Sequence, residues 1–203
     1  MSKSSPFATF LIIGPTCFFL GMLFSLFPYD YNVLWAVPES REPYFNLLEN
    51  HLKFLHASPP LIPRILNIVI GTGLLGFIVK LYKPSEANML FDGASLVLYM
   101  IGVTVYIANI VKGLRVVSAG TYGQMELVEG ETIPPPDPIN GEMIGREDSL
   151  RVLAASNTIL ALVLVGVLVL QAGQWYAQRK EEAEIAEMDR IAAEKKNGSK
   201  KKQ

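Results

Sequence analysis

Residues 152–178 read VLAASNTILALVLVGVLVLQAGQWYAQ, an unbroken run from Val152 to Gln178 without Asp, Glu, Lys or Arg. Wound as a helix at about 1.5 Å per residue, it exceeds the roughly 30 Å of a bilayer's hydrocarbon. A soluble core helix would instead carry charge along its outer face. Three further uncharged runs precede it in sequence: Ser4–Tyr29, Ile65–Val79 and Gly93–Val111. Half of the 203 residues are hydrophobic and only 18% are charged, against about 25% in soluble domains. The charges crowd between the runs, so the chain is built for two solvents. An ordinary soluble enzyme is excluded, and a net charge of −1 offers no basic field for nucleic acid.

The reading is an all-α membrane protein with four transmembrane helices in a bundle. Spans are expected at about 7–27, 61–82, 93–111 and 152–176, giving a membrane domain over 1–178 and a charged tail over 179–203. In the second span the uncharged centre is lengthened by Arg64 and Lys80, which are expected to snorkel outward to the interfaces. The first run is too long for the roughly 7–15 apolar residues of a signal peptide, and Ser25-Leu26-Phe27-Pro28 has no small-x-small cleavage site. With an even number of spans both termini share one side. Arg179 and Lys180 follow the last span directly, and 11 of the 18 Lys and Arg residues fall on the side of the termini. The expectation is therefore N- and C-termini cytosolic, with 28–60 and 112–151 luminal. The second of these segments is acidic and holds Pro134-Pro135-Pro136, a composition that reads as a strap. After the last span Ile185, Met188 and Ala192 share one helical face, so the helix is expected to continue into water and stop at Asn197-Gly198.

Intramembrane catalysis needs a base, a nucleophile or a metal ligand at fixed depth, and the first, third and fourth spans hold no Asp, Glu, His, Lys or Arg. His51 and His56 lie five apart and fit no zinc spacing. Cys17 is the single cysteine, so neither an intrachain disulfide nor a cysteine metal site can form. No cofactor, metal or catalytic residue is expected. The spans instead carry patterned small and polar residues. In the third, Ser95, Tyr99, Gly102, Tyr106 and Asn109 recur at a period near 3.5, with Asp92 before them at the mouth; in the first, Gly14, Cys17, Gly21 and Ser25 make a second stripe. Asn67 and Gly71 stand four apart in the second span. Small residues let backbones approach, and interhelical hydrogen bonds add about 0.6–2 kcal/mol each in lipid. Such stripes hold a protein's own helices together or offer contacts to another protein's. Pro15 cannot donate to the Leu11 carbonyl, so Gly14-Pro15 is expected to loosen the first span.

At the end of the first span the chain reads Phe27-Pro28-Tyr29-Asp30-Tyr31-Asn32-Val33-Leu34, after Phe18-Phe19-Leu20-Gly21-Met22-Leu23-Phe24-Ser25. With the four-span order, the short link between the second and third spans and the lysine-rich tail, the segment Pro28, Tyr29, Asp30, Tyr31 resembles the fungal endoplasmic-reticulum packaging chaperones for amino-acid permeases. The resemblance implies a resident of that membrane which shields nascent permeases from aggregation and assists their entry into coated vesicles. In that context the ending Lys200-Lys201-Lys202-Gln203 satisfies, through Lys200 and Lys201, the dilysine pattern that retrograde coats read on a cytosolic terminus.

The combined expectation is a chaperone without nucleotide chemistry whose partners are polytopic amino-acid permeases, the lipid bilayer and, through the tail, vesicle coat proteins. Tyr99, Tyr106, Asn109, Asn157 and Thr158 are the expected polar client contacts, with Gly14, Gly21 and Gly102 as points of approach. Two rival readings use other residues. A small transporter or accessory subunit would use Gly14-Pro15 and Gly71-Thr72-Gly73 as helix breaks; a lipid-modifying enzyme would use Asp30, Glu49, His51 and His56.

Overall fold

A computed structural model describes residues 6–82, 86–122 and 145–200, with the side chains of 86–88 and 195–200 left out. Six α-helices and one π segment account for nearly all of it, and no strand occurs among the described residues: α1 (Pro6–Leu34), α2 (Glu42–His56), α3 (Leu61–Leu81), α4 (Glu86–Val105) running into a π segment (Tyr106–Val111), α5 (Lys112–Ala119) and α6 (Arg146–Lys200). Four stretches are long and apolar enough to cross a membrane: Pro6–Leu34, Leu61–Leu81, Met89–Ala119 and Arg146–Glu194. The 123–144 part of the acidic strap and Lys201 lie outside the described residues.

Around the bundle the order is α1, α3, α4, α6, each packing on its two neighbours. In lipid the apolar outer face needs no cover, and Phe7, Phe10, Phe24, Ile68, Ile78, Leu162 and Val169 all point outward. Stability inside therefore comes from close packing and hydrogen bonds. Ile12, Phe77, Tyr99 and Val167 form one interior cluster, and Phe19, Leu23, Leu160 and Leu164 another. A third caps the end remote from the termini: Val33, Phe45, Leu48, Leu52, Val117, Leu150 and Leu153.

That cap differs from the simple loop expected over 28–60. Helix α1 runs through Pro28 for two more turns, so Pro28, Tyr29, Asp30 and Tyr31 are helical. Proline removes the donor to the Phe24 carbonyl, yet the helix continues: Asn32 Nδ2 donates to the Pro28 carbonyl at 3.1 Å, and Asp30 and Val33 bury on the inner face. Pro15 likewise sits within an unbroken helix, so the expected loosening at Gly14-Pro15 produces no break. Helix α2 places Phe45, Leu48 and Leu52 on the cap cluster, where burial from water is worth about 1.5–3 kcal/mol per side chain. At the other extreme α6 continues through Asn197-Gly198 to Lys200, past the expected stop.

Candidate functional site

Sequence places Lys80 and Asp92 at the rim, one snorkelling outward and the other at the mouth of its span. Both are buried. Lys80 Nζ donates to Asp92 Oδ1 at 2.8 Å and to Gln171 Oε1 and Gln174 Oε1, each at 2.7 Å, which uses all three ammonium protons. Gln171 Nε2 donates to Asp92 Oδ1 and Ser95 Oγ, each at 3.1 Å, and Gln174 Nε2 to Asp92 Oδ2 at 2.8 Å. The cluster ties the end of α3, the start of α4 and the outgoing part of α6. A charge in hydrocarbon is tolerated when paired and saturated with hydrogen bonds, and this one is both. Gln171 and Gln174, three apart within an otherwise apolar run, were the signal in the sequence.

The polar ridge of α4 turns inward. Ser95 is fully buried, accepting from Gln171. Tyr99 is 3% exposed and its hydroxyl donates to the Ile70 carbonyl of α3 at 3.1 Å. Gly102 lies against Leu160, whose Cδ1 would stand 3.2 Å from an added Cβ. Tyr106 is half-buried, edge-on to Phe19 with ring centres 5.9 Å apart. These two positions, with Tyr99, line a small apolar cavity of about 20 Å³. Beyond Tyr106 the π segment adds residues to the turn and shifts the phase of the stripe. Asn109 is therefore exposed, although its Nδ2 still reaches Ser156 Oγ at 3.2 Å. Asn157 donates to Asp30 Oδ2 at 2.9 Å in the interior, and Thr158 bonds its own helix at the Ala154 carbonyl. Asp30 Oδ1 is buried without a partner among the described residues. Ser95, Tyr99, Gly102, Asn157 and Thr158 thus contact the chain's own helices, because each hydroxyl and amide found a nearer partner there.

The stripe of α1 points the other way. Cys17, Gly21 and Ser25 are exposed, and nothing lies within 4 Å of a Cβ built on Gly14 or Gly21. On α3 Asn67 and Gly71 are also exposed, and Gly71 has open space before it. Elsewhere on these helices α1 and α3 meet closely at Gly76, where an added Cβ would lie 2.8 Å from Ile12 Cγ1 and 3.1 Å from the Ala8 carbonyl. Each of the two rows lies on its own helix's outer face, turned away from this seam.

The groups of the enzyme reading are engaged separately. His51 stacks on Tyr29 with ring centres 4.2 Å apart; Glu49 pairs with Lys53 at 2.7 Å and with Arg146; His56 is exposed. Arg146 also reaches Glu42 at 2.9 Å and Asn46. Burial lowers the proton affinity of His51. No set of three His, Cys, Asp or Glu able to hold a metal occurs among the described residues. The helix breaks that the transporter reading needs are not formed, since α1 and α3 run unbroken through Gly14-Pro15 and Gly71-Thr72-Gly73.

Compared with known proteins, residues 3–203 match the model of the SHR3 chaperone family, described as ER membrane protein SH3. The chain is 23% identical over 200 residues to the secretory component protein psh3 of Schizosaccharomyces pombe, covering 92% of this chain and 83% of the relative. No solved structure matches.

Proposed function

Because this chain belongs to the SHR3 chaperone family of endoplasmic-reticulum membrane proteins, we propose that its clients are polytopic amino-acid permeases. In this reading it shields them while they fold and assists their packaging into transport vesicles. Such clients have broken helices with polar groups near the bilayer centre, and until their repeats pack these groups lack partners. A chaperone that binds the unpacked state in preference to the packed one holds it by mass action and releases it when the client's own helices compete better. No nucleotide energy is required.

The observation that carries this reading is the outward stripe of Cys17, Gly21 and Ser25 on α1, with Gly14 beside it. A client helix laid there comes close enough for backbone packing and finds the Ser25 hydroxyl. Exposed Asn109 and half-buried Tyr106 offer a second, smaller polar contact within the π segment. Ser95, Tyr99, Gly102, Asn157 and Thr158 support that face from inside. The Lys and Arg bias toward the side of the termini supports their lying in the cytosol, where Lys200 and Lys201 would serve retrieval and the tail would meet vesicle coats.

The test is co-purification of a tagged permease with Gly21→Leu and with Gly76→Leu. Open space at Gly21 lets that variant fold, and capture per folded molecule is expected to fall about tenfold, the loss of some 1.4 kcal/mol of contact. Gly76→Leu is expected to unfold the α1–α3 seam. Full capture by folded Gly21→Leu, Cys17→Leu and Ser25→Leu together would overturn the docking face.

A further inference from the structure

Helix α2 meets three environments. At about 100° per residue, its positions divide into sectors roughly 120° apart. The first, Phe45, Leu48 and Leu52, is buried in the cap cluster. A second is polar: Glu42, Asn46 and Glu49 are bound by Arg146, with Lys53 on Glu49. The third is uncovered and carries two large apolar side chains, Leu47 53% and Phe54 73% exposed, with Asn50 at its edge toward the polar sector. A helix that has only protein and water to meet needs two sectors. This one has three.

We propose that the third sector lies in the headgroup and upper acyl region of a fluid zwitterionic phospholipid leaflet, making α2 an interfacial helix wedged where bundle, water and lipid meet. The lipid-facing surface of the spans continues to both ends of α2. Phe27 and Tyr31 along the last turns of α1 and Trp35 just after it are exposed, as are Leu61, Ile62 and Ile65 along the first turns of α3. Trp35 and Tyr31 are residue types that settle at headgroup level. Residues 57–60 connect α2 to α3, and at about 3.3–3.6 Å per residue these four keep that end within roughly 14 Å of the span. The third sector carries no Lys or Arg, so apolar insertion and not attraction to anionic lipid supplies the binding. The inference goes beyond the chaperone reading and needs no client.

The experiment uses the full chain with Cys17→Ser and, one at a time, Leu47→Cys, Phe54→Cys or Lys53→Cys, spin-labelled and reconstituted in phosphatidylcholine vesicles. Collision with oxygen, which partitions into lipid, is compared with collision with a water-soluble nickel chelate. For an inserted sector the oxygen-to-nickel ratio at positions 47 and 54 is expected to exceed that at 53, on the polar sector, by about fivefold or more. A ratio at 47 and 54 equal to that at 53 would place the sector in water and overturn the proposal. Protection of 47 and 54 from both reagents would assign the face to another protein or a second copy, and overturn it equally. Two labelled positions keep the test decisive where one variant misfolds.

Discussion

Lys80 and Asp92 face each other at 2.8 Å, each side chain 2% exposed, across the link from α3 to α4. The pair is twelve positions apart and forms within one helical hairpin, but Gln171 and Gln174 of α6 complete its shell. Three spans therefore agree on one register before every polar atom is satisfied, as expected of buried polar groups that specify an arrangement.

Removing one partner leaves the other charged in an apolar interior. Lys80→Met alone is expected to cost about 3–5 kcal/mol, and Asp92→Leu a similar amount. The double variant should recover part of either loss, since no lone charge remains. Heat-induced loss of the monodisperse species in mild detergent measures all three; a double variant no better than the singles would show that the glutamines, and not the ion pair, set the stability.

Tyr99 holds α3 to α4 through one hydroxyl. Tyr99→Phe keeps the ring in place beside Phe77, with ring centres 5.3 Å apart, and loses the bond to the Ile70 carbonyl. Thermal stability is expected to fall by about 0.6–2 kcal/mol, while client capture per folded molecule stays unchanged. Reduced capture at unchanged stability would instead make Tyr99 a client contact.

Acid should loosen the α2 cap. Burial alone would raise the Glu49 carboxyl, but Lys53 and Arg146 beside it prevail and hold it below its ordinary value; burial also lowers His51. Both groups bind protons less readily folded than unfolded. Their stabilisation is complete above the unfolded values, near 6.5 for His51 and 4.5 for Glu49, and fades as pH falls through the lower folded ones. Amide exchange in 42–56 is expected to accelerate, relative to the spans and after correction for intrinsic pH dependence, first below about pH 6.5 and again below about 4.5. His51→Phe should remove the first step alone.

Orientation is testable by glycosylation. Termini in the cytosol leave the acceptor Asn197-Gly198-Ser199 unmodified, while Gly130→Asn creates an acceptor with Thr132 on the luminal side. A glycosidase-sensitive mass shift is expected only for the Gly130 variant; a shift of the unaltered chain would reverse the topology.

The spans were legible because an apolar run needs no knowledge of its neighbours. Helix α2 was not, since its apolar residues alternate with Glu42, Asn46, Asn50 and Lys53 and so read as a polar connection. The inward aim of Tyr99 was equally hidden: a regular period marks a face without saying what lies opposite, and the Ile70 carbonyl is a backbone group with no signature. Asn109 departs from its row because the π segment begins just before it, and nothing in Tyr106–Val111 announces that turn. Lys80 looked like a snorkelling cation for want of its partners, which lie 91 and 94 positions away.

Helix α6 is a single 55-residue rod. Of this, the 22 residues beyond Gln178, the expected edge of the last span, would reach roughly 30 Å past the membrane at about 1.5 Å per residue. A continuous helix does not bend freely, so rocking its embedded half by about 10° would sweep the far tip by some 5 Å. Repacking of α6 against α1 or α4 would thereby emerge as displacement in the aqueous phase.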